Sequence, residues 1–265
     1  MNCIVNLLYR EAWSKAITVV FFVSVFFFSC PELSYCQPSL PPTNLGDTNF
    51  FDGIAKPGFL FEETFKFYYA GAFIDNKGNK ISGEHALSYW LFSTHLAYIT
   101  TYKIFGGFYG FEAIVPLLGI DVDTNMGLRE NGVGFGDSVI GPLIIQWPEK
   151  RIVGKPYFQR FVLLFYLPTG RYNSEFQMNP GSHLYTVEPY YSFTLFITDR
   201  LETSWRFHYQ WNLKNNDPFV GFGASDVWPG QAFHVNYALS YGIAKGLHTG
   251  ISGYYLRQTT PHKID

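Results

Sequence analysis

The stretch Arg200–Trp211, RLETSWRFHYQW, decides the fold class. Its even positions are Arg200, Glu202, Ser204, Arg206, His208 and Gln210; its odd positions are Leu201, Thr203, Trp205, Phe207, Tyr209 and Trp211. Successive side chains of a β-strand point to opposite faces, so as a strand this sequence has one polar, charged face and one almost wholly aromatic face. A helix would mix the two sets around its circumference. The stretch is also about twice as long as the ~5–6-residue strand of a soluble sheet, and long enough to cross a bilayer when tilted.

The same alternation spreads in both directions. Gln231–Ile243 sets Phe233, Val235, Tyr237, Leu239, Tyr241 and Ile243 against His234, Asn236, Ser240 and small residues. Tyr185–Ile197 sets Tyr185, Val187, Tyr191, Phe193, Leu195 and Ile197 against Thr186, Glu188, Ser192 and Thr194. Phe59–Tyr69 opposes Phe59, Phe61, Phe65, Phe67 and Tyr69 to Glu62, Thr64 and Lys66, with Glu63 as the exception. Weaker alternation marks Ala86–Thr100, Phe105–Leu118, Phe135–Trp147, Tyr157–Leu167 and Leu247–Gln258, which makes nine predicted strands. Tight or moderate links (101–104, 148–156, Thr198-Asp199 and Ala244–Gly246) alternate with long polar ones (70–85, 119–134, 168–184 and 212–230). Short turns at one end and long loops at the other characterise outer-membrane barrels, whereas a soluble sandwich has no reason to sort its loops. The expected fold class is therefore all-β, an antiparallel transmembrane β-barrel of the outer-membrane type.

An odd count does not close such a barrel, because strands one and nine run the same way. The ending Thr260–Asp265 carries no terminal aromatic strand. The expectation is a barrel C-terminally incomplete relative to an even-stranded one of 10–12 strands.

Composition excludes several classes of function. Net charge is −2 with 15% charged residues, so no basic field points to nucleic acid. Aromatic residues make up 20% at a mean hydropathy of zero, which suits a barrel ringed by aromatics at both interfaces. Trp90, Trp147, Trp205, Trp211 and Trp228, with Tyr68, Tyr69 and Tyr102, are the expected girdle. Cys3, Cys30 and Cys36 all lie at the start. Arg10 and Lys15 precede the uncharged run Ala16–Ser29, too short for a membrane-spanning helix, and Ser34 and Cys36 offer small residues before a cleavage point. The predicted organisation is a signal peptide (1–36) directing export to the bacterial outer membrane, an extended N-terminal segment (37–57), and a single barrel domain (58–265). Removal of the leader leaves no cysteine chemistry.

Charges on the inward set would line a wet lumen. The predicted lumen and selectivity residues are Glu62, Lys66, Asp137, Glu188, Glu202, Arg206, His208 and His234, with Glu62/Lys66 and Glu202/Arg206 as interior pairs. Asp137, at the end of Gly134-Phe135-Gly136-Asp137, is better explained as a strand-start residue bonding backbone amides. Ser204 and His208 share a face with Glu202, but positions i and i+4 on a strand lie about 13 Å apart, beyond hydrogen-bond reach. His208, His234 and His248 have no ligand-spacing motif and read as lumen or belt histidines. No catalytic residue, cofactor or metal is expected.

An ordered set of landmarks carries a family resemblance: Pro57-Gly58, Gly106-Gly107, Pro116–Leu118, Gly134–Asp137, Gly141-Pro142, Leu167–Gly170 and Gly253–Tyr255. The chain from about residue 45 to 260 resembles the outer-membrane family described as "putative MetA-pathway of phenol degradation". The resemblance implies a membrane barrel linked to uptake of hydrophobic or aromatic compounds and brings no catalytic residues. Members continue past the point where this chain stops. The expected function is a passive channel for small hydrophobic or aromatic solutes in a lipid bilayer, of unspecified oligomeric state. A surface or structural barrel, a barrel-embedded lipid hydrolase and a truncated inactive relative stay open as alternatives.

Overall fold

Alternation from Gly58 onward, broken by turn residues, makes the chain run as long hairpins. The computed structural model describes residues 43–47, 50–75 and 77–265; the predicted signal peptide lies outside them. Among the described residues nine long strands form, beginning with β1 (Gly58–Ala70), β2 (His85–Ile104) and β3 (Gly107–Thr124), then, after the short β4 (Val133–Phe135), β5 (Ser138–Ile152), β6 (Lys155–Leu167), β7 (Thr186–Phe196) and β8 (Leu201–Asn212). The short β9 (Val227–Trp228) precedes β10 (Ala232–Ala244) and β11 (Leu247–Gln258), and β12 (Lys263–Ile264) ends the chain. All pairings in the main sheet are antiparallel, in the order β1-β2-β3-β5-β6-β7-β8-β10-β11, while β4 pairs with β3 and β12 with β9. Among the described residues β1 and β11 are the two edges and do not pair. Residues Ile74–Asn79 fall in a separate unit from Gln37–Phe73 and Lys80–Asp265; the sheet and its site belong to the latter.

Burial is inverted relative to a soluble protein. Glu188, Ser192, Thr194, Ser204, Gln210, His234 and Asn236 are 0% exposed, whereas Phe59, Phe65, Phe67 and Ile251 are 59–68% exposed. A water-soluble sheet would have to hide the aromatics. Here the polar face is the inner wall of a curled sheet and the aromatic face is outside, the arrangement that lipid requires. The inner wall is not uniformly polar: Val139, Ile144, Val162, Leu164, Tyr166 and Tyr190 form an apolar patch on β5, β6 and β7. The pairings Ile144↔Val162, Val139↔Tyr166 and Gln146↔Arg160 put these residues on the same face as Arg160.

Two connections are tighter than the sequence predicts. The spans 101–104 and 148–156 are largely strand, and the chain reverses at Phe105-Gly106 and Val153-Gly154. All four residues have positive φ (49° and 76°; 51° and 76°), as two-residue hairpin turns demand. Phe105 and Val153 are unusual in that role, which is why only their glycines signal a turn. At the other end the long loops interlock. Asn131 donates to Met178 O (2.8 Å) and Asn179 Oδ1 (2.9 Å), and Tyr172 Oη donates to Asp217 O (2.6 Å).

Candidate functional site

Residues 44–47 and 50–53 run over the inner wall. Asn236 on β10 accepts from Gly46 N (3.0 Å) and donates to Asn44 O (2.8 Å). Asp52 N donates to Ser204 Oγ on β8 (3.3 Å), and Gly53 N to Thr194 Oγ1 on β7 (2.9 Å). Gln146 on β5 donates to Gly53 O (3.0 Å), and Arg160 on β6 to Asp52 O (3.1 Å). The Phe51 ring, on a residue with φ of 64°, stacks on Phe196 and meets His248 edge-on at 4.7 Å. One short segment therefore touches six strands of a single face, which only a concave sheet permits. Gly53 is obligatory for steric reasons: a Cβ there would lie 2.5 Å from Thr194 N.

The segment is locked by charge. The Asp52 carboxylate accepts from Arg206 Nε (2.9 Å) and Nη2, and Arg160 Nη2 lies 3.8 Å away. Both guanidiniums lie over the Tyr190 ring, at 5.9 Å for Arg160 and 5.0 Å for Arg206. Burial alone would raise the pKa of Asp52, but the attraction of Arg206 and then Arg160 outweighs it and holds the carboxyl below its ordinary value. Towards the sheet edges, Lys66 on β1 pairs with Asp47. Glu62, Thr64 and Lys66 then share a cleft of about 440 Å³ with Gly46, Asp47, Phe50 and, from β11, Ser252. The first and last long strands thus border one cleft, bridged by the segment.

Glu62, Lys66, Glu188, Glu202, Arg206, His208 and His234 share the polar face of the sheet, with other partners than expected, and Asp137 lies just before β5. Arg206 pairs with Asp52, not Glu202, and Lys66 with Asp47, not Glu62, because i,i+4 positions on a strand are too far apart. Glu202 accepts from Ser204 Oγ (2.8 Å) and Ser240 Oγ (2.5 Å), and Ser204 also bonds Thr194 (2.7 Å). Its hydroxyl does not meet His208, so the Ser-His arrangement of a hydrolase is not formed. Glu62 instead lies 3.7 Å from His95, which bonds Glu112 at 2.9 Å. Asp137 accepts from Gly170 N (3.0 Å), Ser182 N (2.7 Å) and Ser182 Oγ (2.5 Å), a clasp on the β6–β7 loop at the mouth. Sequence reasoning missed Asp52, Arg160 and Gln146. A cation within the largely aromatic and aliphatic run Tyr157–Leu167 of β6 was the available signal for Arg160.

Glu188, His208 and His234 come together on β7, β8 and β10. His208 Nδ1 donates to Glu188 Oε1 at 2.6 Å, Gln210 Nε2 donates to Glu188 Oε2 at 2.9 Å, and His234 Nε2 lies 3.7 Å from Glu188 Oε1. The two imidazoles stack with centroids 4.0 Å apart at 12°. His248, the third histidine of the sequence pattern, is paired with Gly242 on the far side of Phe51 and takes no part.

Residues 70–265 match the family described as "putative MetA-pathway of phenol degradation". The chain belongs to this family. No curated protein matches the sequence. Among solved structures, an outer membrane channel from Pseudomonas putida F1 is similar, with a TM-score of 0.63 at 14% identity over 86% of this chain and 79% of that one. At that identity the likeness is one of fold, and it agrees with the inside-out burial of this family member.

Proposed function

We propose that the protein is a bacterial outer-membrane channel for small hydrophobic or aromatic solutes, with a lumen narrowed by residues 44–47 and 50–53. The observation that carries the reading is the inverted burial: a charged, hydrogen-bonded inner wall within an aromatic outer face. Membership of a family named for phenol degradation and likeness to an outer membrane channel support it. The solute class is supported by the inner wall itself. The apolar patch of Val162, Leu164 and Tyr166 lies beside Tyr190 and the polar faces of β7 and β8, so a ring with one polar substituent finds both kinds of contact. Selectivity then falls to Glu62, Lys66, Glu188, Glu202, Arg206, His208 and His234 on the same wall, with Asp137 positioning the mouth.

The test begins with outer-membrane fractionation and electrophoresis of unheated and boiled protein, followed by conductance in planar bilayers. A heat-modifiable band and discrete ion currents, blocked by phenolic solutes and not by sugars of similar size, are the expected results. A folded protein that carries no current would remove the channel reading; currents blocked equally by both solutes would remove only the solute class.

A further inference from the structure

Three nitrogen atoms beside Glu188 have no hydrogen-bond partner among the described residues: His208 Nε2, His234 Nδ1 and His234 Nε2. They belong to side chains that are 0–1% exposed. A neutral imidazole has one donor and one acceptor, and burying either without a partner is destabilising. Serine or asparagine at 208 and 234 would build the same inner face without that cost, as Ser204 and Asn236 do in neighbouring positions. The pair His208↔His234 is directly opposed in the β8–β10 ladder, which brings the rings into register. Glu188, two residues from Tyr190, the β7 partner of His208, adds a carboxylate. Donor atoms of the three side chains all lie within 4.8 Å of one another.

We propose that Glu188, His208 and His234 form a binding site for a borderline divalent transition cation, of which Zn²⁺ is the representative. Two neutral imidazoles and one carboxylate are the donor set such cations prefer, whereas Ca²⁺ and Mg²⁺ demand more oxygen. Gln210 holds the second carboxylate oxygen, the orienting contact that a metal-binding carboxylate ordinarily has. Arg206, one layer away, is paired with Asp52, which reduces its repulsion of the ion. Three protein ligands leave coordination positions open to water or a passing solute, and the ion ties β7, β8 and β10 together. The site stands whether or not the protein conducts.

The test uses the full chain, folded in detergent, stripped with a chelator and titrated with Zn²⁺ against a chromophoric competitor. One tight equivalent is expected. Affinity should fall at least 100-fold in His234→Ala and Glu188→Gln, each checked for a heat-modifiable band, and stay unchanged in His248→Ala. Cu²⁺ loaded into the unsubstituted protein provides a readout independent of any variant, since its electron paramagnetic resonance spectrum should show hyperfine splitting from two imidazole nitrogens. Absence of a stoichiometric site in the folded protein, binding that survives both substitutions, or a Cu²⁺ spectrum with fewer than two nitrogens would each overturn the assignment.

Discussion

Asp52 shows how much a single side chain decides. It places a carboxylate between two arginines, where removal of one partner leaves a poorly solvated charge. Breaking a dry pair in this way costs about 3–5 kcal/mol. Arg206 and Arg160 keep partial access to solvent, so Asp52→Asn should cost about 2–3 kcal/mol in urea unfolding and raise single-channel conductance by freeing the segment. Because the folded pKa of Asp52 lies below its ordinary 3.8, its stabilising contribution is complete above that value. It is lost as pH falls through the lower, folded value. Conductance in the unsubstituted protein should therefore hold steady down to pH 3.8 and rise only on acidification through the lower, folded value, and that rise should be missing in Asp52→Asn, as pH-stepped bilayer recordings will show. A pH response that persists in the variant would move the lock elsewhere.

Elements make different demands. The 44–53 segment has no periodicity, and it adheres through backbone groups that need close approach. Gly53→Ala would drive a methyl into the β7 backbone at Thr194, an overpacking that costs about 1–3 kcal/mol. Protease accessibility of the segment in folded protein should increase accordingly, with the barrel band retained. The turns carry the opposite lesson. Val153 holds φ of 51° at 97% exposure, a conformation that costs a β-branched residue about 1–2 kcal/mol. Val153→Asn supplies the residue that a two-residue hairpin prefers. It should stabilise the β5–β6 hairpin by about 1 kcal/mol, measured as a shift in the urea midpoint.

For the whole molecule, the decisive property is which face meets which solvent. Leu239 points outward on β10 and is 38% exposed. In a water-soluble sheet Leu239→Arg would be nearly neutral, but on a lipid-facing wall near the bilayer centre it costs about 2–4 kcal/mol. Folding into lipid vesicles, followed by urea titration, separates the two outcomes. A neutral result would contradict the barrel. The edges matter at this scale as well. β1 and β11 do not pair, and Lys66 with Asp47 and the ring of Phe50 beside Gly250 span the cleft between them.

The period-two pattern of Arg200–Trp211 and its neighbours by itself determined the strands, their two faces and the alternation of short and long connections. Each is a local property, set by the geometry of successive side chains along one strand. Leu247–Gln258 even has the boundaries that the alternation predicts. Three features were beyond local reading. Register between strands is a property of pairs: a slip of one residue in the β8–β10 ladder would send His208 and His234 to opposite faces, so their meeting with Glu188 exists only in the assembled sheet. The partners of Arg206 and Lys66 come from a segment without periodicity, and the Asp52–Arg206 pair spans 154 residues. The direction of burial, expected from strand length and the sorting of connections, is not fixed by any one strand, because an amphipathic strand can turn either face inward until the sheet curls and commits its polar side to the inner wall.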